Sequence, residues 1–502
     1  MRPWPARSDS RVGRGDLTRS ARLRGARRGS DDTPVETDAA EPLKLDLPQF
    51  VAGTLRRLTE AGHDAAVVGG SLRDILHGEV AADWDLATAA TPEEVTRLFP
   101  DARWENPFGT VTLAGPPRVE ITTYRSEGSY RDRRRPDVVH WGSSLTEDLS
   151  RRDFTINAVA WRPRDVEAGI GDLVDPYGGR ADLRRRVLRT VGDPELRLLE
   201  DALRLLRAVR FAARFELRIE AATEAALRRH APAAAELSGE RVRDELLRII
   251  AHDPPSDALR RMERLGMLTA LLPELAALRG VEQRKSLPGD ALEHSLRTVD
   301  ALPGHDPILR LTGLLHDVGK ASTGGDGHFL GHETVGAELA GGIADRLRLS
   351  RADAARVSEL VRHHMFAYRR DWTDAAVRRF IRRVGRQRLP DLFALRRADN
   401  AASGTREPLR GGIAELEQRV AAEIASSPLR MSDLAVNGTD IARTLEIGPG
   451  PEVGRVLRAL TEAVLDDPAL NTEERLTALA RKLHRGGDST HRTGGGGRGA
   501  SA

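Results

Sequence analysis

The sequence predicts a multidomain α+β protein, with a mixed α/β N-terminal head followed by an all-helical remainder. Three observations carry this. The chain has 502 residues, several times what one hydrophobic core organises. Short β-branched runs alternate with helix signals up to about residue 185. From about Asp193 onward apolar residues recur at three- and four-residue intervals, the period of a helix with one buried face.

Composition narrows the classes. Apolar residues make up 40% and charged residues 30%, and no stretch approaches the roughly 20 apolar residues that a bilayer requires, so no membrane partner is expected. With 0 cysteines there is no disulfide, thiolate metal site or cysteine nucleophile, which suits a reducing, cytoplasmic location, and any metal must sit on histidine and carboxylate. The net charge of +3 does not argue for nucleic acid. The arginine runs at 131–135, 184–186 and 204–218 read either as phosphate-tracking segments or as solvated helix faces. Oligomeric state is not legible.

Residues 1–42 mix Arg, Ser and Gly without apolar period and are expected to be a disordered basic extension, either an RNA-contacting arm or an over-extended start. LPQFVAGTLRRLTEAG then reads as a helix ending at Gly62. DAAVVGG is a strand closed by two glycines, with SLRDILHG a helix directly behind it. DWDLAT, TVTLAG and PRVEITTYR are strands, and ATPEEVTRLFP is a capped helix between the first two. PELRLLEDALRLLRAVRFAARF begins the helical part, which continues to about residue 250, through 291–403, and again over 431–483 around a break at IGPGPEVG. The division expected is a head over 43–185, a helical neck over 186–285, a helical body over 286–405, a helical tail over 406–485, and a Gly-rich disordered end over 486–502. No repeat of fixed period is present.

The head carries the first candidate site. Gly69 and Gly70 end a strand where a helix starts, so backbone amides can approach a triphosphate without Cβ clashes. Arg73, one turn on, is a planar donor suited to phosphate. Asp83 and Asp85 lie two apart, so on a strand they point the same way while Trp84 points to the other side. Glu120 and Thr122 share one face of RVEITTYR and Val119 and Ile121 the other. Three carboxylates on neighbouring strands suit Mg²⁺-dependent phosphoryl transfer; the blander reading leaves Asp83 and Asp85 in a turn.

GGSLRD with DWD, RRDFTINA at 151–158, LVDPYGGRADL at 173–183 and EDALRLLRAVRF at 200–211 occur in that order. Together they resemble the four motifs of the class II CCA-adding enzymes and bacterial poly(A) polymerases, a branch of the polymerase β-like nucleotidyltransferases. The resemblance implies template-independent addition or repair of the 3′-terminal CCA of tRNA with CTP and ATP, releasing pyrophosphate. It makes Asp83, Asp85 and Glu120 catalytic and Mg²⁺-binding, and places Arg152, Asp153 and Asn157 in the motif that contacts the ribose.

The fourth motif also has a chemical reading. Asp201 and Arg204 are three apart, so on one helix they share a face and offer an acceptor beside a donor fork. Cytosine and adenine each present an amine next to a ring-nitrogen acceptor, whereas guanine and uracil present a carbonyl there. Arg207 and Arg210 contact the nucleotide by resemblance only; from spacing alone the helix could carry salt bridges and solvated arginines. The segment 124–141 resembles the flexible loop of enzymes that add all of CCA, although a basic loop holding RNA accounts for it equally. Poly(A) polymerase is the alternative within the class.

A second constellation lies in the body. His294, His316 with Asp317 in LLHDVGK, His332, the pair His363 and His364, and Asp399 form an H…HD…H…HH…D pattern that resembles the HD phosphohydrolases, the extra histidines being similar to their two-metal members. Neutral imidazoles with carboxylates suit Zn²⁺, Mn²⁺, Fe²⁺ or Ni²⁺. The resemblance implies hydrolysis of phosphate esters such as 2′,3′-cyclic or 3′-phosphate ends, or else a structural remnant. A hydrolase whose head only binds nucleotide is the reading from another class. His305 and His328 are expected to take no part.

Overall fold

The structure is a computed structural model that describes residues 42–104, 109–127, 139–142, 144–324, 328–404 and 412–491. The head is one mixed sheet. Its strands are β1 (Leu43–Lys44), β2 (Ala65–Val68), β3 (Trp84–Thr88), β4 (Arg103–Trp104), β5 (Thr110–Leu113), β6 (Val119–Thr123), β9 (Ala160–Asp165) and β10 (Ile170–Val174), while β7 (Arg125–Glu127) and β8 (Val139–Trp141) form a separate ribbon. The spatial order is β1-β10-β9-β2-β3-β6-β5-β4. β2 lies at its centre and is buried along its whole length, as its unbroken AAVV predicts.

Alternation divides the sheet between two cores. Val67, Leu86, Ile121 and Trp161 face one side, where α1 (Gln49–Glu60), α2 (Gly69–His77) and α3 (Pro92–Leu98) add Leu55, Leu72 and Val95. Ala66, Val68, Ala87 and Ala160 face the other, against Leu145 and Leu149 of α4 (Leu145–Ser150). The expected cap on α3 is present: Thr91 Oγ1 accepts from the Glu94 amide and Glu94 Oε2 from the Thr91 amide. Strands β9 and β10, absent from the sequence-based expectation, extend the sheet beyond β2.

After α5 (Gly179–Arg184) the chain is mostly helical, but not wholly as expected, since Val187–Leu188 pairs in parallel with Arg218–Ile219 as a short two-stranded ribbon. The single helix expected across 194–214 is two: α6 (Pro194–Glu200) and α7 (Leu203–Arg214). Asp201 between them is extended, with φ −150° and ψ 108°, and its Oδ1 accepts from the Leu203 amide at 3.0 Å. Aspartate competes with the helix backbone through its own side chain and favours such ends over helix interiors. After α8 (Ala221–His230), α9 (Gly239–Ile250) lies against α7. Neck and body share one core, running from Leu205 and Val209 of α7 through Leu246 of α9 to Leu311 and Leu314. Separate clusters form around Phe380, Phe393 and Leu416, and in the tail around Ile441, Val456 and Leu476. The last helix, Glu473–His491, runs six residues into the segment expected to be unstructured. Residues 1–41, 128–138 and 492–502, where the basic extension, most of the loop and the rest of the Gly-rich end were expected, lie outside the described residues. No helix of the described chain is long and apolar enough to cross a membrane.

Candidate functional site

A cavity of about 790 Å³ lies between the head sheet and α7. Gly69, Gly70, Arg73, Asp83, Asp85, Glu120, Arg152, Asp153, Asn157, Asp201, Arg204, Arg207 and Arg210 all line it, so residues scattered over 142 positions of sequence converge on one space. Ser71, Asp74, Thr122, Arg125, Arg151, Phe211, Arg214 and Arg248 line it too, none of them foreseen as site residues.

The carboxylates come from adjacent parallel strands. Asp85 of β3 is the register partner of Glu120 of β6, and Trp84 is buried on the opposite side. Val119 and Ile121 are fully buried while Glu120 and Thr122 line the cavity, which is the alternation expected. Asp83 differs from expectation: it sits exposed in a bend just before β3 rather than in the strand. Asp85 Oδ2 accepts from the Gly70 amide at 2.9 Å, tying the strand to the start of α2. Burial pushes the Asp85 carboxyl above its ordinary value, opposed by the Gly70 amide and the nearby Arg152. Glu120 pairs with Arg118 at 2.9 Å. Gly69 has a φ of +68°, and a Cβ there would come within 2.9 Å of Asp85 Oδ2 and 3.2 Å of Arg152 Nη1, so glycine is required on both counts.

Much of the cationic lining is already engaged. Arg73, expected to meet phosphate, is buried, with Nε and Nη2 donating to Asp74 Oδ1 at 2.9 and 2.6 Å and Nη1 to Asn157 Oδ1 at 2.7 Å. Its guanidinium also lies 4.9 and 4.6 Å from the ring centres of Phe211 and Phe215. Asn157 donates to Asp153 Oδ1 at 2.9 Å, and Arg207 Nε to Asp153 Oδ2 at 2.7 Å. A polar chain thus runs Asp74–Arg73–Asn157–Asp153–Arg207 from head helix to neck helix. Burial alone would raise the Asp153 carboxyl, but Arg207, the Asn157 amide and Arg204 outweigh it and hold it at about 2.

Asp201 and Arg204 do not share one helix face, because the helix breaks between them. Asp201 is gripped by Arg241 Nη2 of α9 at 2.9 and 2.7 Å. Arg204 donates to Glu200 Oε2, to the Arg197 carbonyl at 2.8 Å and to the Arg151 carbonyl at 3.1 Å. Arg210 Nε donates to Glu245 Oε2 at 2.6 Å. Arg241 and Glu245 lie four residues apart in GERVRDELLRII and so share one helix face, the one signal that could have flagged them.

In the body, His294 on Ala291–Asp300, His316 and Asp317 after Pro307–Leu315, His332 at the start of His332–Arg346, His364 after Arg351–His363, and Asp399 on Leu389–Ala402 converge in a buried centre. Ligand atoms of His294, His316 and Asp399, and those of His316, Asp317 and His364, lie within 4.8 Å of one another; among the described residues the head carboxylates form no such group. Asp317 is central. Its Oδ2 is 3.2 Å from His316 Nε2 and 3.5 Å from His294 Nε2, and its Oδ1 is 3.3 Å from His332 Nε2 and 3.6 Å from His364 Nε2. His316, His332 and His364 direct Nδ1 at the carbonyls of Gly313, Phe329 and Val361 at 2.8, 2.7 and 2.7 Å, which fixes the tautomer and turns each Nε2 lone pair inward. These donors fit a divalent transition metal. His363 does not join them: one residue further round the helix, it faces Glu359, with 3.5 Å between Nε2 and Oε2. Two lysines, not foreseen, also enter the centre. Lys320 Nζ is 2.5 Å from Asp317 Oδ2, and Lys285 Nζ is 2.5 Å from His294 Nε2, where burial lowers the Lys285 amine against the pull of Asp317 and Asp399.

Comparison with known proteins matches these parts in order. Residues 65–189 match the family described as "Poly A polymerase head domain", 216–278 that described as "Probable RNA and SrmB- binding site of polymerase A", and 291–404 the HD domain. The chain is 37% identical over 427 residues to the A-adding tRNA nucleotidyltransferase of Deinococcus radiodurans, covering 80% of this chain and 91% of that protein. It is 31% identical over 439 residues to the CCA-adding enzyme of Leuconostoc mesenteroides, covering 85% and 94%. With the CCA-adding enzyme of Geobacillus stearothermophilus identity is 40% over 230 residues, 45% of this chain and 55% of that one. Among solved structures, the Bacillus stearothermophilus CCA-adding enzyme in complex with CTP superposes with a TM-score of 0.63 at 27% identity, covering 88% of this chain and 98% of that one.

Proposed function

The chain belongs to the tRNA nucleotidyltransferase family of CCA-adding and A-adding enzymes, and on that premise we propose that it builds or repairs the 3′-terminal CCA of tRNA from CTP and ATP, without a template. The observation that carries this reading is the shared cavity: a glycine-started helix, in-register Asp85 and Glu120, and the neck residues Asp201 and Arg204 all border one space large enough for a nucleoside triphosphate.

In this reading Asp83, Asp85 and Glu120 hold the divalent ions on which the family's chemistry depends, with Mg²⁺ the expected ion. Such ions neutralise the triphosphate and activate the attacking 3′-hydroxyl. The chain's own residues do the rest. Gly69 and Gly70 let the opening of α2 lie directly against Asp85 and Arg152, so that in this reading the helix start, the carboxylate and the arginine meet the triphosphate together. In this reading Arg152, beside Asp85 and Gly69 and hydrogen-bonded to Asp148 and the Asn157 carbonyl, meets phosphate or ribose, whereas Arg73 orients: it locks α2 to Asn157 and so to Asp153 and α7. Asp201 and Arg204 read the base edge, the carboxylate accepting from an exocyclic amine and the guanidinium donating to a ring nitrogen. To do so each exchanges a protein partner, Arg241 for Asp201 and Glu200 for Arg204, for the nucleotide. In the body, His294, His316, Asp317, His332, His364 and Asp399 form a metal-binding centre, and cleavage of 2′,3′-cyclic or 3′-phosphate ends is the activity its donor set supports.

Incubation with tRNA lacking CCA, CTP, ATP and Mg²⁺ tests the assignment, with stepwise addition of C, C and A expected. Homopolymeric A without C, or no extension, would overturn it. One observation favours a narrower second reading: the Deinococcus relative matched over 91% of its length is an A-adding enzyme. Extension only of tRNA already ending in CC would select that reading.

A further inference from the structure

Helix α2 of the head and helix α7 of the neck both border the cavity, α2 opening on it with Gly69 and Gly70 and α7 with Leu203 and Arg204. Arg204, Arg207, Phe211 and Arg214 recur along α7 at intervals of three and four residues, so one face of that helix lines the cavity from its first turn to its last. The two helices are joined at the far end of this face. There the Phe215 ring lies 5.1 Å from the His77 ring at 80°, and the guanidinium groups of Arg73 and Arg214 stand 4.6 and 4.7 Å from its centre.

The way α2 ends builds the grip on Arg214. Gly78 has a φ of +92°, a left-handed conformation that favours glycine, and it turns the chain back on the helix. The Gly78 amide donates to the Ile75 carbonyl at 3.0 Å and the Glu79 amide to the Asp74 carbonyl at 2.8 Å. This closing turn sets the Asp74 and Glu79 carboxylates against one guanidinium: Arg214 Nη2 donates to Asp74 Oδ2 and to Glu79 Oε2, both at 2.9 Å. Asp74 Oδ1 meanwhile accepts from Arg73 Nη2 at 2.6 Å. One carboxylate therefore ties an arginine of the head to an arginine of the neck.

We propose that Arg214 is a positioning residue for base selection: clasped by Asp74 and Glu79, it sets the span between the opening of α2, where the triphosphate binds, and the opening of α7, where the base is read. This rests on the reading of the cavity as the CTP and ATP site and adds to it a residue three positions beyond the fourth motif. Hydrogen bonds to a base edge weaken steeply as they bend, and a misplacement of about 1 Å costs up to about a hundredfold in rate. A slackened span therefore costs base discrimination before it costs the hold on phosphate.

The test uses full-length protein and tRNA lacking CCA. Single-nucleotide addition gives the preference for CTP over UTP as a ratio of kcat/KM values, and competition by inorganic tripolyphosphate probes the phosphate end alone. In Arg214→Ala the preference should fall about tenfold, while inhibition by tripolyphosphate stays within about twofold of the unsubstituted protein. Arg214→Lys, which keeps the charge, should recover most of the preference, and Glu79→Gln should lose about threefold. The double variant Arg214→Ala/Glu79→Gln should match Arg214→Ala, because both changes open the same clasp. An unchanged preference in folded Arg214→Ala, or losses that add in the double variant, would overturn the proposal. A matching loss of tripolyphosphate inhibition would overturn it too, by making Arg214 a phosphate ligand or a general prop. Circular dichroism checks each variant, and should Arg214→Ala fail to fold, Glu79→Gln decides, since it alters only an exposed carboxylate. Failure of the unsubstituted protein to add C would instead overturn the reading of the cavity.

Discussion

The head cavity and the histidine centre of the body both gather acidic groups, but the molecule holds them in opposite ways. In the body, three imidazoles are pinned by backbone carbonyls and surround a buried aspartate. In the head, Asp83 sits in an exposed bend, Glu120 is partly exposed and paired with Arg118, and Asp85 is fastened by the Gly70 amide. A site that must admit a triphosphate and release pyrophosphate gains nothing from a closed cage, since binding that stabilises ground state and transition state alike does not speed turnover. A site that keeps an ion through many cycles gains from preorganised donors. The head's rigidity is placed one layer back, in the Asp74–Arg73–Asn157–Asp153–Arg207 chain.

The largest expected effect breaks the two sites apart. Asp85→Ala should lower nucleotide addition by at least about a thousandfold, since the carboxylate acts on charge that develops in the transition state. Asp83→Ala should do likewise, and metal in the body should be unchanged in both. Normal turnover by either variant would refute the assignment. The converse substitution, Asp317→Ala, should strip transition metal from the body yet leave addition within about twofold, as distant and independent sites behave additively. A collapse of addition in that variant would show that the centre supports the head.

A middle-sized effect concerns base choice. Arg204→Ala should reduce discrimination against UTP and GTP by about a hundredfold, the scale set by leaving a base-reading partner absent. Arg241→Ala removes only the partner that Asp201 releases when it reads the base, so discrimination should change by less than about tenfold. Unchanged misincorporation in Arg204→Ala would move base choice elsewhere in the cavity.

Local physics made the head readable. Period-two alternation placed Glu120 and Thr122 on one face and Val119 and Ile121 on the other, and a glycine pair marked where α2 opens. Pairing partners were not legible, because they depend on distance in space rather than along the chain. Asp201 finds Arg241 at a separation of 40 residues, and nothing local prefers it to Arg204, only three away. The pair His363 and His364 shows the same limit: adjacent residues on a helix differ by about 100° in direction, so one turns inward and one outward, and sequence does not say which. Strand β9 escaped notice because AWRPRD carries a proline and three charges and is buried only at Ala160 and Trp161. Lys285 gave no signal at all, since a lysine in a polar run is ordinarily solvated.

The smallest effect is on stability and follows from Asp153. Its folded-state value of about 2 lies below the ordinary aspartate value of 3.8, so the native state favours the ionised form. The stabilisation is fully present above the unfolded-state value and is lost as pH falls through the folded-state one, a window from about pH 5 down to pH 2. Asp153 is nearly buried, so little of the effect is screened, and its size is about 2 kcal/mol. Asp153→Asn keeps an acceptor for Arg207 without the charge. The variant should therefore be less stable than the parent by about that amount at pH 7, with the gap closing towards pH 2, as read by denaturant titration at each pH. A constant gap across the range would mean that Asp153 contributes through packing alone, and the polar chain joining head to neck would lose its electrostatic basis.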